Sequence, residues 1–204
     1  MKYFYGIALF LFQAMVFGQH QDKVDFTHAI INVGIDPYEQ SIEGTVRYDF
    51  LILKNVDSVY LDAKNMVFES VRLKNKKVAF ENNGKTLTIR YPFKSGKSYS
   101  ISINYQAYPK QTVYFVNWEH KMPSMDASTV KIIGKSLLGP EQVWTQGQGK
   151  YTSHWLPSFD DMNEKVEFDL SIRFDPKYEV IANGKYLGSS IGSDGTKEWK
   201  FDML

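Results

Sequence analysis

Strict alternation of apolar and polar residues is the feature of this sequence that most limits its fold. Every second residue from Val46 to Ile52 is apolar and either branched or aromatic. Period two is typical of a half-buried strand, and it recurs at Met66–Leu73, Thr86–Tyr91 and Tyr99–Tyr105. Apolar residues nowhere recur at intervals of three and four over a helix length. The pattern therefore predicts an all-β protein.

Turn signals separate these strands at short intervals. Asn82-Asn83-Gly84, Asn183-Gly184 and Asp194-Gly195 predict hairpins, because Asn and Gly tolerate the positive φ that tight turns require. Further strands are predicted at Val166–Phe174 and Tyr178–Ile181. Short strands joined in this way indicate a β-sandwich or an open mixed sheet.

Residues 119–141 carry the weakest pattern in the chain. They contain two prolines and two glycines, with a short apolar patch at Val130–Ile133. We predict a long loop there, with one strand at most. Loops of this length in compact domains are usually functional or mobile.

The chain ends inside a strand pattern, at Trp199–Leu204. An unfinished strand at the edge of a sheet is a pairing liability. We therefore expect the β domain, residues 27–204, to be incomplete at its C-terminus. The alternative is a terminal strand tied into the sheet.

The first residues resemble a secretory signal peptide. Lys2 precedes the apolar run Tyr3–Phe17, and small Gly18 is followed by a polar segment, residues 19–26. We expect residues 1–18 to be removed and the protein to be periplasmic, on the cell surface or secreted. The run is shorter than the roughly 20 residues of a spanning helix, and no second stretch could span a bilayer; an uncleaved anchor is the alternative.

Composition indicates an ordinary folded domain without nucleic-acid or acidic membrane partners. The 204 residues are 43% hydrophobic, and the net charge is +1 with both signs mixed. The chain has no cysteine, so disulfides, thiolate zinc sites and cysteine nucleophiles are excluded.

The sequence contains no catalytic constellation that we recognise. The four histidines are His20, His28, His120 and His154, and none lies in a His-Glu-x-x-His zinc motif. The neighbours Ser153 and His154 lack the Gly-x-Ser-x-Gly elbow of a hydrolase nucleophile. We predict no catalytic residue, no metal ligand and no cofactor within this chain.

One stretch, Val143–Leu170, carries more specific chemistry. It contains Thr145-Gln146-Gly147-Gln148, then the corner Trp155–Asp160, then Lys165, and Asn183-Gly184 follows. This order resembles the N-terminal β domain of the zinc aminopeptidases related to alanyl aminopeptidase and leukotriene hydrolase. The resemblance extends more weakly back to Thr27 and implies a saddle-like β domain with a large mixed sheet.

The resemblance also implies a substrate-binding role for two residues. In that family a Gln or Glu at the position of Gln148 contacts the free amino terminus of the peptide substrate, and Gln146 matches a neighbouring position. A side-chain amide oxygen can accept a charge-assisted hydrogen bond from an ammonium group. The resemblance then implies that the zinc lies in a catalytic domain missing from this chain. The chain alone should therefore be inactive. Alternatively, both amides simply satisfy loop backbone groups.

A second hypothesis requires no missing domain. The chain could be a stand-alone secreted β-sandwich that binds a peptide, a glycan or a protein partner. Its surface would then be aromatic and exposed near the long loop. The candidate residues are Tyr108, Tyr114, Phe115 and Trp118.

Overall fold

A computed structural model describes residues 22–118, 139–161 and 163–204 of the chain. These ranges contain strands and one short 3-10 turn, and none of their helical segments is long enough to cross a membrane. The predicted signal peptide and most of the predicted loop 119–141 lie outside the described residues.

The strands are β1 (Val24–Asp36), β2 (Ser41–Ile52), β3 (Val56–Asp62), β4 (Met66–Leu73), β5 (Lys76–Lys77), β6 (Phe80–Asn82), β7 (Thr86–Phe93), β8 (Ser98–Ala107), β9 (Val113–Val116), β10 (Gln142–Thr145), β11 (Glu167–Phe174), β12 (Lys185–Ile191) and β13 (Lys197–Met203).

The largest sheet has eight strands in the order β12-β13-β11-β1-β2-β8-β4-β5. Strands β1 and β11 are parallel, with Ile31 opposite Leu170, whereas the other neighbours in the sheet are antiparallel. Two smaller antiparallel sheets, β3-β7-β6 and β9-β10, accompany it. The predicted all-β fold with an open mixed sheet is confirmed.

Alternation in the sequence corresponds directly to burial in the main sheet. In β2, each of Val46, Tyr48, Phe50 and Ile52 is at most 2% exposed. The same hydrophobic cluster includes the inward residues of β3 and β7. Burial of one apolar face therefore holds the small sheet against the large one.

A buried tyrosine attaches the aromatic-proline corner to the main sheet. The hydroxyl of Tyr48 donates a hydrogen bond to the carbonyl oxygen of Pro157 at 2.6 Å. Burial raises the pKa of Tyr48, because the phenolate would lose its hydration. Phe159 packs against Phe26, with ring centroids 4.3 Å apart, and against Tyr48. The corner is consequently part of the core.

The predicted strand at Tyr178–Ile181 is wrong. The backbone turns there instead, with the amide of Tyr178 donating to the carbonyl of Asp175 at 3.1 Å. Ile181 is almost fully exposed. Tyr178 packs in aromatic contact with Phe174 and Trp118. Tyr178 therefore packs against neighbouring aromatic rings and does not belong to a strand.

The terminal strand was predicted to lie at an edge of the sheet, and that prediction is wrong. β13 lies between β11 and β12 and pairs with both, so β12 forms that edge of the sheet. Strand order depends on pairing between distant segments, which alternation does not encode. The predicted incompleteness of the domain is a separate matter and stays a prediction.

Candidate functional site

The predicted glutamines lie together in an exposed loop, residues 146–150, which we name the glutamine loop. It follows β10, and the amide of Gln146 donates to the carbonyl of Thr112 at 2.8 Å. This bond extends the β9–β10 pairing beyond the Thr145–Val113 pair. Gly149 has φ +85°, which closes the turn at little steric cost. The fold thus presents the predicted motif at its surface.

Neither glutamine side chain satisfies the loop backbone as the alternative interpretation requires. Gln146 and Gln148 are exposed, and neither side-chain amide is hydrogen-bonded to another residue of the described ranges. Each amide offers one acceptor oxygen and two N–H donors. Both groups are therefore available to a ligand.

A partly buried ionic cluster anchors the far end of the glutamine loop. Lys64 Nζ lies 2.9 Å from Asp160 Oδ2, and it also donates to the carbonyl of Lys150 at 3.2 Å. Ser153 Oγ donates to the same carboxylate oxygen at 2.5 Å, and its backbone amide donates to Oδ1 at 3.3 Å. The side chains of Lys64 and Asp160 are only 31% and 9% exposed. Such charge-assisted bonds in a poorly hydrated environment are strong.

The backbone of β3 reinforces this cluster. Asp62 and Ser158 exchange two backbone hydrogen bonds of 2.8 and 2.9 Å. The amide of Asp160 donates to Asp62 Oδ2 at 2.9 Å, and the amide of Lys64 donates to the carbonyl of Ser153 at 2.8 Å. The end of β3 therefore fixes the segment that follows the glutamine loop.

His154 does not form a catalytic triad with its neighbours. Its Nε2 lies 2.9 Å from the side-chain nitrogen of Gln111, whereas Ser153 is bonded to Asp160. Desolvation lowers the pKa of His154, and the nearby Lys64 cation lowers it further, against an opposing effect of Asp160. A neutral imidazole can accept a hydrogen bond from Gln111. The histidine consequently supports the fold beside the glutamine loop.

The four aromatic residues of the second hypothesis do not form one exposed surface. Tyr108 and Tyr114 are exposed and Phe115 is half-buried, but Trp118 is buried. The indole nitrogen of Trp118 donates to the carbonyl of Gln142 at 2.9 Å. The prediction of an exposed Trp118 is therefore wrong, because its ring fills the junction between the β9–β10 ribbon and the main sheet.

Comparison with known proteins agrees with the resemblance seen in the motif. Residues 20–203 match the family described as the Peptidase M1 N-terminal domain. The chain belongs to this family. The M1 N-terminal domain of this chain is 25% identical over 170 residues to leucine aminopeptidase 2 of Yarrowia lipolytica. That match covers 80% of this chain and 24% of the relative.

Solved structures share the fold of this M1 N-terminal domain. An M1 zinc metallopeptidase from Deinococcus radiodurans superposes with a TM-score of 0.70 at 13% identity, covering 89% of this chain and 39% of that protein. Yeast LTA4 hydrolase in complex with bestatin superposes with a TM-score of 0.66 at 16% identity, covering 90% and 27%. The chain therefore spans less than half of these relatives.

The residues that the structure describes in this M1 N-terminal domain do not form a zinc site. No group of three or more His, Cys, Asp or Glu side chains that could hold a metal occurs in the described ranges. His28 faces a single carboxylate, with Nε2 3.2 Å from Asp169 Oδ2. His154 faces the amide of Gln111. A catalytic zinc needs three protein ligands, which the described part of the domain does not bring together.

Residues that support the motif could not be found from the sequence. Lys64 lies 96 positions before Asp160, and Gln111 lies 43 positions before His154. Asp160 is visible in the sequence only as the end of the corner Trp155–Asp160. Its bonds to the backbone of Ser153 and to Lys64 depend on contacts that form only in the fold.

Proposed function

We propose that this domain forms the part of a zinc aminopeptidase that binds the free amino group of a peptide substrate. Gln148 accepts the hydrogen bond from the ammonium group, and Gln146 lies beside it. The observation that carries the proposal is the placement of both amides, exposed and unpaired with other described residues, in a loop fixed at both ends. Fixing a loop before binding reduces the entropy lost on binding.

Hydrolysis itself belongs, in this proposal, to a separate catalytic domain that carries the zinc. The sequence contains no His-Glu-x-x-His motif, so this chain supplies binding only. The matching part is only 24% of leucine aminopeptidase 2 of Yarrowia lipolytica and 39% of the M1 zinc metallopeptidase from Deinococcus radiodurans. Metal-dependent release of N-terminal residues by the purified chain would contradict this division of labour.

We further propose that the protein is exported. The support is the sequence of residues 1–18, which has the basic start, apolar run and small residue of a signal peptide. Recovery of the native protein from the cytoplasm with these residues intact would contradict export.

Replacing Gln148 with alanine is expected to weaken binding of phenylalaninamide about 10-fold, because a hydrogen bond to a charged group is lost. Q148E is expected to bind more tightly, since a full negative charge then faces the ammonium group. Titration of the isotope-labelled chain, followed by the NMR signal of the Gln146 side-chain amide, which both variants retain, measures both effects.

Two controls separate amine recognition from other effects. N-acetylphenylalaninamide, which has no ammonium group, should leave the Gln148 signal unmoved. Gln106→Ala removes another exposed glutamine, in β8 of the main sheet, and should leave binding unchanged. Equal responses to the free and acetylated ligands would refute the proposal.

A further inference from the structure

The two Asn-Gly bonds of the chain lie in different surroundings. They are Asn83-Gly84 and Asn183-Gly184, and a lysine follows the glycine in both. The first joins β6 to β7, so the hairpin predicted there is confirmed. The hairpin predicted at Asn183-Gly184 is wrong, because the segment directly before it, 175–182, contains no strand. Two identical Asn-Gly-Lys sequences therefore separate the effect of the fold from the effect of local sequence.

Hydrogen bonds hold the first Asn-Gly bond closely. The side-chain oxygen of Asn83 accepts from the backbone amides of Lys85 and Thr86 at 2.9 and 2.8 Å. The backbone amide of Gly84 donates to the side-chain oxygen of Asn82 at 2.9 Å. Both the side chain of Asn83 and the amide nitrogen that follows it are therefore engaged elsewhere.

The second Asn-Gly bond has no such restraint. Asn183 and Gly184 are both exposed. Within the described part of the chain, neither the side-chain amide of Asn183 nor the backbone amide of Gly184 has a hydrogen-bond partner. The asparagine side chain can consequently turn towards the amide nitrogen that follows it.

The fold nevertheless requires glycine at position 184. Gly184 has φ +100°, in a region that residues with a side chain rarely adopt. A Cβ atom there would lie 2.5 Å from the carbonyl oxygen of Asp202, a backbone atom of β13. A larger residue, whose side chain would shield the amide nitrogen, is therefore excluded.

An asparagine followed by glycine can lose ammonia without an enzyme, and asparagine is thermolabile for that reason. The amide nitrogen of Gly184 gives up its proton to base and attacks Cγ of Asn183, forming a new C–N bond. The C–N bond of the side-chain amide breaks, and its nitrogen leaves as ammonia after taking a proton from water. Water then opens the succinimide ring. Cleavage beside Cγ gives aspartate, cleavage beside the backbone carbonyl gives isoaspartate, and no atom is oxidised or reduced.

We propose that Asn183 is a site of spontaneous deamidation in the folded protein, whereas the fold protects Asn83. Ring closure at Asn83 first breaks the three hydrogen bonds that hold it, and each bond lost raises the barrier to the reaction. We therefore expect Asn183 to react about 100-fold faster than Asn83. This inference does not depend on the amine site proposed at Gln148.

Deamidation at this position would loosen one edge of the main sheet. Isoaspartate adds a methylene group to the backbone just before β12, together with a negative charge. Among the described strands β12 pairs only with β13, beginning with Lys185 opposite Asp202. Amide hydrogen exchange should therefore accelerate at residues 185–187 of an aged sample. The variant Asn183→Gln should keep its protection on ageing, because its longer side chain closes a ring much more slowly.

The test measures both asparagines in the same folded chain as it ages in mildly alkaline buffer. Trypsin, which cleaves after lysine, releases peptide 178–185 with Asn183 and peptide 78–85 with Asn83. Mass spectrometry gives the fraction of each peptide in which the amide has become a carboxylate, and fragment masses locate the change. The same chain aged in urea is the matched control, since both sites there have only their identical Asn-Gly-Lys sequence.

A rate ratio of about 100 in the folded chain that falls to about one in urea would confirm the inference. Equal rates in the folded chain would refute it, and so would a folded chain in which neither asparagine reacts although both react in urea. A ratio that persists in urea would assign the difference to sequence and overturn the inference. Asn82→Ala removes the acceptor of the Gly84 amide and should speed the reaction at Asn83 while leaving Asn183 unchanged. An unaltered rate at Asn83 would contradict protection by these hydrogen bonds.

Discussion

Replacing Trp199 with alanine is expected to lower the free energy of unfolding by about 3–5 kcal/mol. Trp199 is 1% exposed and is among the largest fully buried side chains in the described domain. It lies in β13, opposite Ile172 of β11 and Ser189 of β12. Truncation would leave a cavity in the hydrophobic core on that face of the sheet, and a domain of this kind is stable by only about 5–15 kcal/mol. Urea denaturation monitored by circular dichroism measures the loss.

Trp199→Phe is the matched control for cavity formation. The indole nitrogen of Trp199 is buried and has no hydrogen-bond partner in the described part of the chain. Phenylalanine removes this unpaired donor while keeping much of the ring volume, so we expect a loss below about 2 kcal/mol. Equal losses in the two variants would contradict the cavity explanation. Lys197, whose Nζ lies 4.6 Å from the ring centroid, would interact with either aromatic ring.

The fold could be predicted because local alternation and burial agree along most strands. Apolar positions in β2 and β8 face one cluster, and the predicted strand Met66–Leu73 has the bounds of β4. The parallel pairing of β1 with β11 was not predictable in the same way. His28 and Glu167 are opposed although about 140 residues separate them, and alternation gives no information about which strands become neighbours.

Local sequence likewise reveals only part of the candidate site, because the rest depends on contacts between distant segments. Gln146 and Gln148 could be singled out because they lie within a short motif whose spacing is visible in the sequence. Trp144 lies in β10 and stacks on Tyr114. Its partner lies 30 positions earlier, so the aromatic pair exists only after the ribbon has formed. Long-range contacts, rather than local propensity, create the surface beside the motif.

Removal of the Asp160 carboxylate is expected to destabilise the domain and release the glutamine loop. In Asp160→Ala, Lys64 loses its carboxylate partner while 31% exposed, and Ser153 loses two acceptors. An unpaired, mostly buried cation and unsatisfied donors together lower the free energy of unfolding by about 2–4 kcal/mol. Amide hydrogen exchange should accelerate at residues 146–153, because their anchor is lost.

The neighbouring carboxylate provides the control for Asp160. Asp161 bonds only locally among the contacts described, accepting from the amide and the side chain of Asn163 at 3.0 and 3.1 Å. Asp161→Ala should therefore change the unfolding free energy by less than about 1 kcal/mol and leave exchange in the glutamine loop unchanged. Lys64→Met, alone and with Asp160→Ala, completes a double-mutant cycle. Lys64→Met leaves no buried cation without a partner, so the cycle isolates the ion pair. A coupling energy above about 1 kcal/mol would confirm that the ion pair anchors the loop, whereas additive losses would show that it does not.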